Sequence, residues 1–134
     1  MQRIRTALLA AALAVVGAHS ANAHHSFAAE FDANSPLELT GTVTKVAWAN
    51  PHTFFYIDVT TAKGDVENWA LEMGSPNGLM RRGWTRDSMK IGDVVTVMGS
   101  RAKDGSFKGN ARSVTLSTGK RLFAGSSQEN AEAD

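Results

Sequence analysis

From Leu37 to Val43 apolar and polar residues alternate. Leu37, Leu39, Gly41 and Val43 share one parity, and Glu38, Thr40, Thr42 and Thr44 the other, the period-2 signature of a half-buried strand. After Lys45 the phase inverts, because Val46 and Trp48 fall on the formerly polar parity. A strand that exchanges faces midway predicts a bulge or bend, and Gly41 eases it. Asn50-Pro51 ends the strand, since proline offers no amide hydrogen and restricts the residue before it. A second strand is expected over Thr53–Thr60, with Phe55, Ile57 and Val59 on one face and Phe54, Tyr56 and Asp58 on the other. Thr61–Asp65 has turn chemistry. It leads into a third strand, Val66–Met73, with Trp69, Leu71 and Met73 on its apolar side. Closing this hairpin around Lys63 sets Phe54 opposite Glu72, Tyr56 opposite Ala70 and Asp58 opposite Asn68.

Downstream, Ser75 (cap), Pro76 (first turn) and Gly83 (stop) bracket a short helix. Leu79 and Met80 are its inward candidates, Arg81 and Arg82 face water, and Trp84 packs back on its end. Val94–Met98 reads as a fourth strand, Lys103–Ser106 as a hairpin turn and Ala111–Leu116 as a fifth strand. Arg121-Leu122-Phe123 adds a short strand or anchor. Three strands, a helix and two strands predict an all-β fold: a small five-stranded Greek-key barrel of OB-fold type, with the helix between strands three and four. Another small open barrel or a sandwich is the competing architecture.

The first residues change the picture of what is retained. Arg3 and Arg5 precede an apolar run, Ala7–Val16, and Ala21-Asn22-Ala23 supplies a small-x-small cleavage site. Residues 1–23 therefore read as a secretory signal peptide. The rival reading, a membrane anchor, has against it the short run and the missing stop-transfer flank. Cleavage after Ala23 leaves 134 − 23, or 111, residues, enough for one domain. These divide into an N-terminal arm (24–36), a barrel (37–123) and a disordered tail (124–134) rich in small and acidic residues. The expected location is the periplasm or the exterior, with no membrane span after cleavage. Losing two arginines takes the formal charge from +1 to −1, which argues against a nucleic-acid partner. With no cysteine, there is no disulfide framework, lipid-anchored thiol or thiol nucleophile.

The histidines carry the candidate chemistry. A chain cleaved after Ala23 begins His24-His25-Ser26-Phe27, and its one other histidine is His52, at the mouth of the second strand. An N-terminal histidine offers its amine and imidazole to one metal ion as a chelate, and imidazole nitrogen suits copper, zinc and nickel. His24, His25 and His52 are the candidate ligands, copper the candidate metal, and Glu72 a fourth ligand or a group supporting His52. Against this stands the plain alternative that His24 and His25 form a solvated end. Cleavage after Ser20 would instead place the amine on Ala21. Phe27 and Phe31 lie four apart, and one helical turn would set both against the barrel as anchors; an extended arm would also use them so.

The segments His24-His25-Ser26-Phe27, Asn50-Pro51-His52, Trp69-x-Leu71-Glu72, Ser75-Pro76, Arg82-Gly83-Trp84, Gly92-Asp93 and Gly99-x-Arg101-Ala102-Lys103-Asp104-Gly105-Ser106 resemble a family of small exported bacterial proteins known only as a domain of unknown function. The resemblance spans nearly the whole chain after residue 23. It implies a bacterial, periplasmic setting and one small domain, and it implies no activity.

Phosphate loops, dinucleotide fingerprints and nucleophile elbows are absent from the sequence. Asp58 and Glu72 share a face but stand too far apart in register for an acid/base pair. The expectation is a binding protein rather than an enzyme. Its ligand is either copper, at the histidines, or a periplasmic protein, peptide, glycan or other small ligand on the face of Phe54, Tyr56, Asp58 and Asn68 without any metal.

Overall fold

The structure, a computed structural model, describes residues 27–125. The segment expected to be a signal peptide, His24, His25 and the residues from 126 onward, most of the expected tail, lie outside the described residues. The chain divides into two compact units, one ending at Glu30 and one beginning at Phe31. In the first, residues 27–30 form a helical turn.

The second unit is a curled antiparallel sheet. Its elements are β1 (Phe31–Ala47), β2 (Phe54–Thr60), β3 (Val66–Glu72), α1 (Pro76–Arg81), β4 (Val94–Ala102), β5 (Lys108–Thr115) and β6 (Arg121–Phe123). The strand order β3-β2-β1-β4-β5-β6 closes on itself through a parallel pairing of β3 with β5. Five strands thus form a ring, β1-β2-β3-β5-β4, which is the OB-type barrel, and α1 lies between β3 and β4 as expected. β6 pairs with the far end of β5, Val114 facing Leu122.

β1 is shared between the two halves of the barrel. Its pairing with β2 shifts between Val43 and Lys45, the point where the hydrophobic phase inverts, so Thr44 is the extra residue. A second shift, between Asp32 and Pro36, separates the early β1–β4 pairs Phe31–Ala102 and Asp32–Arg101 from the main run. These early pairs start β1 at Phe31, six residues before the expected start, and put residues 31–36 in the barrel rather than in an arm. For the same reason Phe31 is a strand residue and does not continue the helical turn.

Phe55, Ile57, Trp69, Leu71, Val95, Val97, Val114 and Leu116 join one buried cluster with Leu37, Val43, Leu79 and Trp84. Burying such side chains contributes about 1.5–3 kcal/mol each. Ser75 caps α1 by accepting a hydrogen bond from the Gly78 amide at 3.2 Å. Three expectations here need correction. Met80 is exposed while Leu79 is fully buried, because a six-residue helix turns only a narrow stripe inward. Arg82 is not a free surface charge: its guanidinium lies 4.4 Å from the Phe123 ring centre and donates to the Gly125 carbonyl. Ala124 is buried and its backbone bonds both Arg112 and Gly74, so the barrel extends two residues into the segment expected to be tail. No helix among the described residues is long and apolar enough to cross a membrane.

Candidate functional site

His52 follows a cis Asn50-Pro51 peptide in the connection from β1 to β2. Its neighbour Thr53 is fully buried, donates from its backbone to Gly74 and accepts from Met73. These bonds carry the β2–β3 pairing past its last register pair, Phe54–Glu72. The backbone beside His52 is therefore held to the end of β3.

The imidazole is oriented as well. His52 Nδ1 lies 3.1 Å from the Met73 carbonyl oxygen and 3.5 Å from Glu72 Oε1. A carbonyl oxygen only accepts, so Nδ1 carries the hydrogen and donates. In the neutral ring, the lone pair then sits on Nε2. The His52 side chain is 36% exposed and that of Glu72 12%, so a partly open imidazole rests on a largely buried carboxylate. A carbonyl and a carboxylate on the far nitrogen are the groups that hold metal-bound histidines in place.

His52 and Glu72 are thus brought together. Among the described residues no cluster of three His, Cys, Asp or Glu side chains is placed to hold a metal ion. Asp58 and Glu72 are not brought together: Asp58 faces Asn68, and Glu72 faces Phe54 four residues along the strand. The register expected from the hairpin is the register observed.

The strand face is more occupied than its sequence implies. Phe54 and Tyr56 are half-buried. The Lys108 ammonium lies 5.7 Å from the Phe54 ring centre, and that of Lys45 lies 5.3 Å from Tyr56. Both are within cation–π range. Asn68 donates to Asp58 Oδ1 at 2.7 Å and to Thr44 Oγ1 at 3.3 Å. The two aromatics carry lysines, and Asn68 and Asp58 are hydrogen-bonded to each other.

Sequence reasoning missed Lys45 and Lys108. Lys45 reaches Tyr56 because the Thr44 bulge sets them opposite one another. Lys108 reaches the face through the β3–β5 closure, where Ala70 pairs with Lys108 and Glu72 with Asn110. No local pattern announces a parallel pairing of strands separated by a helix and another strand.

The model of a family of unknown function, DUF6152, matches residues 12–112. No curated protein matches the chain. The family match covers β1 through β4 and reaches into β5, and it includes both His52 and Glu72; the chain belongs to the family of unknown function DUF6152.

Proposed function

We propose that this is an exported periplasmic binding protein whose ligand is one Cu2+ ion. The ligands in this reading are the amine and imidazole of His24 together with Nε2 of His52, and His25 is a further or neighbouring ligand. Export is supported by Arg3, Arg5, the apolar run and Ala21-Asn22-Ala23. The observation that carries the metal reading is the commitment of His52 Nδ1 to the Met73 carbonyl beside Glu72, which reserves Nε2 for a ligand. Glu72 in this reading supports the imidazole and does not itself bind the metal. Copper is favoured over zinc because nitrogen donors hold it more tightly in the divalent series and the chain has no thiolate.

The test is a copper titration of protein whose first residue, fixed by intact mass, is His24. One equivalent should bind, and binding should weaken on acidification as protons compete for the nitrogens. One methionine added before His24, or His52→Ala, should each weaken binding by more than tenfold and leave the barrel folded. Glu72→Gln should weaken it by about 10–100-fold, the usual effect of losing a group that supports a ligand. Equal copper affinity of the authentic and the methionine-extended forms rules this function out.

A further inference from the structure

We infer that Met98 is an oxidation site: its thioether sulfur takes one oxygen atom from a small hydroperoxide, and the Arg121 guanidinium promotes the transfer. Nothing in this rests on the copper reading. Met98 lies on β4 opposite Ser113 of β5, and Arg121 opens β6, which pairs with the other edge of β5. Arg121 Nε and Nη2 donate to Ser113 Oγ at 3.2 and 3.0 Å, and Nη2 also reaches Met98 Sδ at 3.5 Å. A thioether is a weak acceptor, so the sulfur does not hold the cation. The hydroxyl of Ser113, a buried residue, does. The guanidinium is thereby fixed beside a sulfur that peroxide can reach, since Met98 is 42% exposed.

In the transfer, the sulfur lone pair attacks one oxygen of the hydroperoxide. The S–O bond forms as the O–O bond breaks, and the proton on the transferred oxygen passes to the departing one. Sulfur is oxidised by two electrons to the sulfoxide, and hydrogen peroxide is reduced to water. Negative charge develops on the departing oxygen, where a guanidinium N–H is placed to stabilise it. Among the described residues no hydrogen bond engages Arg121 Nη1, which leaves donors for that oxygen. In the product the sulfoxide oxygen accepts from Arg121 more strongly than the thioether did. Met98 is on the outer side of the sheet, so the added polar atom meets water and a cation rather than the core.

The molecule carries its own controls. Met80 is 46% exposed, as open as Met98, and among the described residues no hydrogen bond reaches its sulfur. Met73 and Met89 are buried and report on unfolding. The sign of the effect separates a promoting arginine from a bystander. A guanidinium that only engaged the sulfur lone pair would make it less nucleophilic and slow its oxidation. The experiment treats the protein with limiting hydrogen peroxide in chelator-containing buffer and follows each methionine by peptide mass spectrometry. Met98 should oxidise about two- to fivefold faster than Met80, the size that one exposed charge interaction gives, while Met73 and Met89 stay reduced. Arg121→Gln removes the cation and should bring Met98 down to the Met80 rate without changing Met80. Ser113→Ala removes the anchor of the guanidinium; it should lower the Met98 to Met80 ratio as well. It serves in place of Arg121→Gln if that variant opens the barrel and exposes Met73 and Met89. A Met98 rate at or below that of Met80 in the unmutated protein overturns the inference. So does a ratio that stays the same or rises when the guanidinium is removed or released.

Discussion

The fold alters the ionisation of Asp104. Its carboxylate accepts the Ser106 hydroxyl at 2.6 Å and the Ser106 amide at 2.9 Å. The hydroxyl bond first, and the amide bond after it, hold the Asp104 carboxyl below its ordinary range. A depressed carboxylate pKa contributes stability above the unfolded value, and that contribution is lost as pH falls through the folded one. The group is on the surface, so the effect is local to the turn. Ser106→Ala should raise the Asp104 pKa toward 3.8, read by carboxyl carbon NMR titration, with the barrel intact. Gly99 is constrained by space rather than charge: a Cβ there would stand 1.8 Å from the Asn110 carbonyl oxygen. Gly99→Ala must displace β5 backbone, and urea unfolding should show a loss of several kcal/mol, the upper end for single substitutions. In the sequence Gly41 marks a point of easy bending. The structure adds a second reason, since a Cβ there would lie 2.5 Å from the Asp58 carbonyl oxygen across the β1–β2 pair. Alternation reveals where a glycine sits along a strand, but not which backbone crosses it.

At the scale of elements, the features legible in the sequence are those set by local spacing. The Thr44 bulge follows from the inverted parity of Val46 and Trp48, and the β2–β3 register follows from the hairpin length. The ends of β4 and β5 were not legible. Gly99–Ala102 and Lys108–Asn110 lack an apolar alternation, yet they belong to strands because they pair across the barrel, Ser100 with Asn110 and Glu72 with Asn110. Asn110 is buried by that closure, an environment its composition would not predict. Trp69 on β3 ties these elements together. Its indole donates to Glu67 Oε2 at 3.0 Å, its ring meets Phe107 at 5.3 Å between centres, and Arg101 from β4 lies 5.2 Å above it. Trp69→Ala should therefore cost roughly 3–5 kcal/mol in denaturant unfolding. A neutral result would mean that β3 contributes its strand pairing alone and that the barrel core closes without the indole.

At the scale of the whole molecule, the barrel is closed twice, once by β3 against β5 and again by the chain that follows β5. The second closure was only partly legible: Arg121-Leu122-Phe123 could be read as strand or anchor, and it is both. Leu122 is buried, the Trp84 indole donates to the Phe123 carbonyl at 2.8 Å, and Arg82 covers the Phe123 ring. Ala124 then links Arg112 of β5 to Gly74, just after β3. Small, polar residues after Phe123 look dispensable in sequence because alanine and glycine carry little packing information; here backbone bonds define the role of the segment. A chain ending at Lys120 loses the buried Leu122 and leaves the Trp84 indole and the Gly74 amide without their acceptors. An unsatisfied buried donor costs about 1–3 kcal/mol, and a buried leucine truncated to alanine about 2–5 kcal/mol. At 4–8 °C per kcal/mol for a domain near this size, the midpoint of thermal unfolding should fall by more than about 15 °C. A chain ending at Gly125 keeps every one of these contacts and should unfold at the temperature of the longer protein. Equal midpoints for the Lys120 and Gly125 chains would show that the five-stranded ring is stable alone and that β6 with Ala124 only decorates it. A fall confined to the Lys120 chain would make the last described residues part of the barrel's closure.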